Sequence, residues 1–319
     1  MSATVRSLVP RPQLWAIILA GGEGVRLRSL VKQVCGDERP KQYVPLFGTR
    51  SLLGQTLDRV GRLVSPEHTV VVSVGSHWHY LTAEAGRTPD ANVLIQPVQR
   101  GTAAGILHPA HWIARTDPDA VVAIFPADHF VREEEAFMHH IGQVAAAVRA
   151  RPDLMVLVGA KATAPETEYG WIEPGQTLMR AASGVEIRSV VAFHEKPSPA
   201  DAQRYHAARY LWNTFVLVAG LRGLLEAGRV LLPEMHARLA RIRSFAGTEH
   251  EAFAIRQAFA LMPAANFSRA VLERRPPGLA VSELPAILWS DLGTPRRVLD
   301  LAPQIEPPPS WLSAAAVPA

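Results

Sequence analysis

Cysteine, charged residues and long apolar runs are all scarce in this sequence. Its 319 residues include one cysteine, Cys35, so an intrachain disulfide framework is excluded and a reducing compartment fits. Charged residues make up 19%, with a net charge of +4, which excludes a disordered or supercharged chain. No block of like charge and no basic stripe interleaved with aromatics argues for nucleic acid. No apolar run has membrane-spanning length, so we expect a soluble, cytoplasmic protein without a membrane partner.

Lysine is much rarer than arginine. Of 33 basic residues only four are lysines, namely Lys32, Lys41, Lys161 and Lys196. Because lysine is a compact point charge and arginine a planar fork, a lysine inside a motif invites a chemical explanation. Lys41 follows Pro40 and Lys196 precedes Pro197, so both backbones are restrained. Each is a candidate cation for phosphate groups; the alternatives are a surface lysine at a turn and an exposed ion pair at a ribbon edge.

Short apolar runs alternate with amphipathic stretches through the first half. This alternation predicts an α/β fold with a mostly parallel sheet and helices on both faces. In such sheets, ligands bind beyond the carboxyl ends of the strands. The predicted strands are Trp15–Ala20, Thr69–Val74, Asn92–Ile95, Ala120–Phe125 and Leu154–Gly159, and the predicted helices follow Ser51 and cover Thr102–Ala114 and Glu133–Val148.

The alternation of apolar runs and amphipathic stretches ends at about residue 160. Two stretches, Glu168–Ile172 and Val185–Phe193, predict an antiparallel ribbon over the mouth of the sheet. We expect a further strand at Leu211–Ala219, helices between residues 221 and 261, and a short strand near Ala286–Trp289. The Pro/Ala-rich tail, residues 303–319, is predicted to be frayed.

The strongest local motif is Leu19-Ala20-Gly21-Gly22-Glu23-Gly24, followed by Arg26. A strand that runs into three glycines lets backbone N–H groups approach an anion, and Arg26 adds a permanent cationic fork. The alternative is a tight turn without a ligand. The glycine spacing matches neither the P-loop nor the dinucleotide-binding fingerprint, so a P-loop kinase and a nicotinamide dehydrogenase are poorly supported.

Two aspartates follow predicted strands from distant parts of the sequence. Asp128 ends Phe125-Pro126-Ala127-Asp128, and Asp291 lies in Trp289-Ser290-Asp291-Leu292-Gly293. Carboxylates that converge on one Mg²⁺ with substrate phosphates would suit phosphoryl transfer. The alternative for each is the N-cap of the helix that follows it.

These motifs, taken in order, resemble the sugar-1-phosphate nucleotidyltransferase family, and most closely its mannose-1-phosphate guanylyltransferase branch. The stretches that carry the resemblance are LAGGEGVRL, RPKQYVPLFG with SLLGQTLDRV, QRGTAAGI, FPADHF, PETEYGWIEPG, FHEKPSPADAQRY, LWNTFVLV and WSDLGTPRRVL. They span roughly residues 14 to 302. The resemblance implies a Rossmann-like mixed, mostly parallel sheet of the nucleotide-diphospho-sugar transferase type.

The resemblance also implies roles for individual residues. It implies one domain over residues 1–302, with a nucleotide-binding half of about 14–150 and a sugar-phosphate half of about 151–302. Arg26, Lys41, Asp128, Lys196 and Asp291 would be catalytic, and Asp128 and Asp291 would bind Mg²⁺. The nucleotide would contact Leu19, Ala20, Gly21, Gly22, Glu23, Gly24, Arg26, Lys41, Gln96, Gly101 and Thr102, the last three of these facing the base. The sugar phosphate would contact Tyr169, Gly170, Glu195, Lys196 and Asn213.

The implied reaction joins mannose 1-phosphate and GTP to give GDP-mannose and pyrophosphate. The cations and Mg²⁺ would relieve the repulsion between two polyanions, and no general base is required. Val25, Ser29, the stretch Val31–Glu38 and WNTFVLV in place of the common WNSGMF depart from the family pattern. They leave open another sugar or base, such as glucose 1-phosphate with UTP or dTTP, and a non-catalytic sugar-nucleotide-binding regulator. A homodimer is compatible with this interpretation.

Overall fold

The computed structural model describes residues 13–84, 88–181 and 184–315, with residues 313–315 described by their backbone. Within these ranges the strands are β1 Leu14–Leu19, β2 Thr69–Val74, β3 Val93–Gln96, β4 Val121–Pro126, β5 Phe130–Val131, β6 Met155–Lys161, β7 Gly170–Arg180, β8 Glu186–Glu195, β9 Leu211–Gly220, β10 Leu279–Glu283 and β11 Trp289–Ser290.

The helices alternate with the strands in the first half and cluster between β9 and β10 in the second. They are α1 Arg28–Cys35, α2 Leu52–Val60, α3 Trp78–Glu84, α4 Gly101–Ile113, α5 Glu134–Ala150, α6 Pro199–Ala207, α7 Leu221–Leu231, α8 Pro233–Ile242, α9 Glu251–Leu261, α10 Pro295–Leu301 and α11 Ser310–Ala315. As predicted, Ser51 begins α2: its hydroxyl accepts a hydrogen bond from the Gly54 N–H at 3.0 Å. No helix of the described residues is both long and apolar enough to cross a bilayer.

A nine-stranded mixed sheet forms the centre of the molecule. Its strand order is β3-β2-β1-β4-β9-β6-β10-β8-β7. Strands β3, β2, β1 and β4 are mutually parallel, and β10 is parallel to β6; the other described pairings are antiparallel. The prediction of a mixed, mostly parallel sheet flanked by helices is confirmed, and so is the antiparallel ribbon, formed by β7 and β8.

Alternate residues of the central strands face two separate apolar layers. Ala16 and Ile18 of β1 pack with residues of α2 and α5, whereas Trp15 and Ile17 pack with residues of α4, α7 and α8. Ile17 and Ile18 are fully buried, and burial of each such side chain contributes about 1.5–3 kcal/mol. The sheet is therefore covered on both faces, and its strand ends are the places open to a ligand.

The C-terminal region differs from the prediction in three places. Strand β10, which follows Pro276-Pro277-Gly278, was not predicted. The short strand expected near Ala286–Trp289 lies at Trp289–Ser290, where it pairs with β5 as a separate two-stranded sheet. The expected frayed tail is wrong for α11, because the Trp311 indole N–H donates to the Leu46 carbonyl at 2.8 Å. Residues 316–319 lie outside the described residues.

Candidate active site

The glycine turn, residues 20–24, follows β1 at the carboxyl edge of the parallel strands. Side-chain amides tie its carbonyl groups to the body of the fold: Gln42 donates to the Ala20 and Gly22 carbonyls at 2.9 Å each, and Gln99 donates to the Gly21 carbonyl at 3.0 Å. Because these carbonyl groups accept hydrogen bonds from the two amides, the orientation of the turn is fixed.

Gly24 adopts φ +61°, the left-handed region that glycine favours, and a Cβ there would lie 3.0 Å from the Lys41 Cβ. This glycine therefore lets Pro40-Lys41 pack directly against the turn. The sequence predicted the turn but offered no sign of Gln42 and Gln99 as its braces, because an amide that bonds to carbonyls has no characteristic spacing.

A cavity of about 240 Å³ opens beside the glycine turn. It is lined by residues within β1, β2, β3 and β4 or in the segments after β1, β3 and β4, and by one residue of β9: Leu19, Gly21, Gly22, Gln42, Val72, Ser73, Gln96, Gln99, Gly101, Thr102, Gly105, Pro126, Asp128, His129 and Phe215. Of the residues predicted to contact the nucleotide, Leu19, Gly21, Gly22, Gln96, Gly101 and Thr102 line it. We call this space the cleft cavity.

Gln96 presents an amide to the cleft cavity. The residue is 4% exposed, and among the described residues its Nε2 has no hydrogen-bond partner. A buried donor without an acceptor costs about 1–3 kcal/mol, so this position favours a ligand that supplies a carbonyl oxygen.

Asp128 and Asp291 come together because β5 and β11 pair. In the two-stranded sheet, Ser290 lies opposite Phe130, so the residue after β11 approaches the residues just before β5. The Lys41 ammonium joins them: its Nζ lies 2.9 Å from Asp128 Oδ2 and donates to the Asp291 carbonyl at 2.5 Å. Neither aspartate is a helix cap, since α5 begins after Glu133 and Thr294 caps α10 with its side chain.

Lys41 is buried, with 6% of its side chain exposed, so it is not a surface lysine at a turn. Its third contact is the Leu292 carbonyl, at 3.3 Å. An ammonium has three N–H donors, and here all three have protein acceptors. Lys41 therefore holds the two aspartate segments together rather than pointing into the cleft cavity.

The Asp291 carboxylate is held by three donors on one oxygen. Oδ1 accepts hydrogen bonds from Tyr169 Oη at 3.0 Å, Arg297 Nη1 at 2.9 Å and the Gly293 N–H at 2.9 Å. Burial alone would raise the pKa of Asp291, but the charges of Arg297 and Lys41 and the hydrogen bond from the Gly293 N–H bring it below the usual value. Asp291 is therefore ionised at neutral pH.

Arg297 is the main counter-charge of Asp291 and was not predicted. Its guanidinium also binds Glu166 at 2.7 Å and lies over the Tyr169 ring, 4.1 Å from the centroid.

His129 is a neutral neighbour of Asp128. Its Nδ1 accepts a hydrogen bond from the Trp289 indole at 3.3 Å, and its Nε2 lies 3.9 Å from Asp128 Oδ1. Burial lowers the pKa of His129 to about 4, with Asp128 opposing this shift. The imidazole is thus uncharged at neutral pH and adds no positive charge to the cavity.

The predicted sugar-side residues meet at the other end of the cleft, where β7, β8 and β9 adjoin. A Cβ on Gly170 would lie 3.0 Å from Glu195 Oε2 and 3.3 Å from the Asn213 Cβ, so only a glycine leaves this space open. Burial raises the pKa of Glu195. Tyr169, whose ring is tilted by 44° to that of Trp212 with 4.8 Å between the centroids, connects this group to Asp291.

Two predicted phosphate-binding cations, Arg26 and Lys196, share one carboxylate. Arg26 Nη1 contacts Glu168 Oε2, and Lys196 Nζ lies 3.7 Å from the same oxygen. All three side chains are between 41% and 49% exposed. Arg26 comes from the glycine turn and Lys196 from the end of β8, so Glu168 spans the mouth of the cleft. Its position next to Tyr169 carried no sequence signal of this role.

Phe215 has an unusual backbone. Strand β9 carries two extra residues, Thr214 and Phe215, relative to β6, because Val158 pairs with Val216 while Gly159 pairs with Asn213. Phe215 has φ 60°, a conformation that costs a non-glycine residue about 1–2 kcal/mol. Its N–H donates to Asn213 Oδ1 at 3.1 Å, which holds the bulge.

The chain was compared with known proteins. The nucleotidyl transferase family model matches residues 15–307. The xanthan biosynthesis protein XanB of Xanthomonas campestris pv. campestris (strain B100) is 32% identical over 296 residues, covering 90% of this chain and 59% of that protein. A mannose-1-phosphate guanylyltransferase of Salmonella muenchen is 28% identical over 297 residues, covering 91% and 60%. The chain thus spans about three fifths of the length of these relatives.

A solved structure agrees with these sequence matches. A protein described as mannose-1-phosphate geranyltransferase from Thermus thermophilus superposes with a TM-score of 0.76 and 28% identity, covering 90% of this chain and 79% of that one. The resemblance stated from the motifs is therefore confirmed. This chain belongs to the nucleotidyl transferase family.

Proposed function

We propose that this protein transfers a nucleotidyl group from a nucleoside triphosphate, GTP, to a sugar 1-phosphate, mannose 1-phosphate, and releases pyrophosphate. The observation that carries the proposal is the convergence of Lys41, Asp128 and Asp291 beside a cavity bounded by the glycine turn. Family membership and relatives named mannose-1-phosphate guanylyltransferase support the same reaction.

The proposed donor site is the cleft cavity. The turn around Gly21 and Gly22 lies where a triphosphate would meet backbone N–H groups, and the Gln96 amide N–H would bind a carbonyl oxygen of the base. Guanine, uracil and thymine carry a carbonyl at the edge opposite the glycosidic bond, whereas adenine carries an amino group. The amide thus supports a carbonyl-bearing base.

The donor set at the aspartates fits Mg²⁺. This ion prefers oxygen ligands and is usually held by one or two carboxylates together with substrate phosphates, which is what Asp128 and Asp291 offer. Among the described residues the three donors to Asp291 all use Oδ1, leaving Oδ2 to a cation. No group of three or more metal-ligating side chains is found in the described residues, so the substrate would complete the coordination. When bound, Mg²⁺ would withdraw charge from the phosphates.

The chain's own residues supply positioning and charge. An oxygen of the sugar phosphate attacks the α-phosphorus, the bond to pyrophosphate breaks, and no proton needs to be removed. Arg26 and Lys196 would bind phosphate oxygens, while Lys41 acts as a positioning residue that holds the Asp128 carboxylate and the Asp291 carbonyl group. Gly170, Glu195 and Asn213 would receive the sugar. Stabilisation of charge that spreads over the transferred group accounts for the rate increase.

Pyrophosphate release from a panel of substrate pairs tests the proposal. The five common nucleoside triphosphates would each be combined with several hexose 1-phosphates and Mg²⁺. We expect the highest kcat/KM for GTP with mannose 1-phosphate. A higher value for UTP or dTTP with glucose 1-phosphate would replace the substrates but keep the reaction, and no release from any pair would favour a sugar-nucleotide-binding regulator.

The variant Asp128→Asn tests the site within the same assay. Losing one carboxylate charge next to the transferred phosphate should lower kcat at least about 100-fold. Asp300→Asn, an exposed aspartate of α10, is the matched control and should leave kcat unchanged. Near-normal turnover in Asp128→Asn would show that the metal assignment is wrong.

A further inference from the structure

Phe215 occupies a position in the fold that links the two halves of the cleft. Among the described residues that line the cleft cavity, it alone comes from the sequence after His129. It also lies two residues beyond Asn213, the β9 residue of the proposed sugar site. Phe215 therefore belongs to the donor side by its place at the cavity and adjoins the proposed acceptor side through Asn213.

The strained backbone of Phe215 is held from several directions. Asn213 Oδ1 accepts its N–H, and the buried Thr214 hydroxyl donates to the Val158 carbonyl at 2.6 Å while accepting the Val216 N–H at 3.2 Å. A glycine would adopt the same φ without strain, so the backbone alone does not call for an aromatic residue. Phe215 lines the cleft cavity and also packs against the apolar layer that contains residues of α4, α7 and α8, and a phenylalanine that persists in this conformation points to a use for the ring.

We propose that Phe215 is a specificity-determining residue: its ring forms the wall between the nucleotide and the acceptor sugar and limits the size of the sugar's C2 substituent. This rests on the proposed function. The cavity places Phe215 together with Asp128 and His129, beside the proposed site of phosphoryl transfer. The sugar carbons nearest to the transferred phosphate are C1 and C2, so a group on C2 is the one that would meet the ring.

The test compares mannose 1-phosphate with its 2-acetamido analogue in wild type, Phe215→Gly and Phe215→Ala. Both variants lack the ring, but only glycine relieves the positive φ. The ratio of kcat/KM for the acetamido substrate to that for mannose 1-phosphate should rise about 10-fold or more in both variants, as expected when a wall of the pocket is removed. The KM for GTP should change much less, and Phe215→Tyr should keep the wild-type ratio.

Three results would overturn the proposal. The ratio stays at the wild-type value in both variants; or it rises in Phe215→Gly alone, which would make backbone freedom rather than the ring responsible; or the KM for GTP changes as much as the acceptor ratio. If wild type releases no pyrophosphate, the proposed function fails separately. In that case calorimetry would give the dissociation constants of the two sugar phosphates, and their ratio in wild type and variants tests whether the Phe215 ring limits the C2 substituent. If neither sugar phosphate gave heat with any of these proteins, the proposal would be overturned.

Discussion

The two sides of the cleft hold their charges in opposite ways. The Lys41 ammonium is buried and its contacts are with the protein, and side-chain amides bind the carbonyl groups of the glycine turn. At the mouth, Arg26 and Lys196 are about half exposed and share the carboxylate of Glu168. The first arrangement resists change and fixes geometry, whereas the second can exchange its partner for a phosphate. Under the proposed function, different charged groups would preorganise the site and capture the substrate.

Removing the buried cation should have the largest effect. Lys41→Met would leave Asp128 and two carbonyl groups without their donor, so we expect kcat to fall about 100-fold and the free energy of unfolding to fall by about 1–3 kcal/mol. Pyrophosphate release and urea denaturation measure these two changes. Lys32→Met, an exposed lysine 3.7 Å from Glu38, is the control and should shift stability by less than about 0.5 kcal/mol. If Lys41→Met and Lys32→Met changed kcat and the free energy of unfolding equally, the buried charges of the cleft would be no more important than exposed ones.

Neutralising the exposed carboxylate should have a smaller effect of opposite sign. In Glu168→Gln, Arg26 and Lys196 have no ion pair with residue 168 that must break when substrate binds. Because an exposed ion pair contributes about 0.2–1 kcal/mol, we expect the KM for one or both substrates to fall about 2–5-fold with little change in stability.

Steady-state kinetics at low salt checks this, since screening weakens exposed charges. Glu186→Gln, an exposed glutamate of β8 that pairs with Arg180 at 3.0 Å, is the matched control. A raised KM in Glu168→Gln would mean that Glu168 contributes to binding rather than competing with it.

The smallest effect on turnover is expected for a buried histidine outside the cleft, whose charge matters to stability alone. His140 is buried in α5, where its Nε2 lies 3.2 Å from the Ser282 hydroxyl, and burial lowers its pKa to about 4 from the usual 6.5. Between these values the unfolded chain binds more protons than the folded one. Stability is therefore complete above pH 6.5 and is lost as the pH falls towards 4, by about 1.4 kcal/mol for each unit of lowered pKa.

Thermal unfolding across this pH range tests the contribution of His140. His140→Gln should reduce the slope of Tm against pH between pH 4 and 6.5. It should leave the KM values at neutral pH unchanged, because His140 lies outside the cleft. An unaltered slope would show that other buried histidines, such as His108, account for the acid sensitivity.

Sequence reasoning predicted the first half of the fold better than the second. Strands β1 to β4 are mostly apolar runs, and the glycine motif follows β1 while Asp128 follows β4. Because these strands are parallel, the segments after them meet at one edge of the sheet. Strand β10 escaped prediction because it is short and follows Pro276-Pro277-Gly278. The tail helix was missed because its stability comes from a tertiary contact, the Trp311 hydrogen bond, and not from its own sequence.

The site shows a similar division. About half of the residues that line the cleft cavity were foreseen, among them Gly21, Gly22 and Asp128, since glycines and carboxylates at strand ends have a recognisable chemistry. The partners that set their charge were not: Glu168, Arg297 and the Gln99 amide are recognised only when the chain is folded. Lys41 was chosen correctly as unusual, but its inward orientation towards Asp128 follows from tertiary packing that no local pattern encodes.

The two-stranded sheet of β5 and β11 affects how the protein would lose its activity in denaturant. Two residue pairs, Trp289 with Val131 and Ser290 with Phe130, keep Asp291 near Asp128 together with the Lys41 ammonium, and they lie apart from the nine-stranded sheet. So small a unit opens at a lower free energy than the whole molecule. Mild denaturant should therefore extinguish turnover while the circular dichroism of the remaining body is still intact.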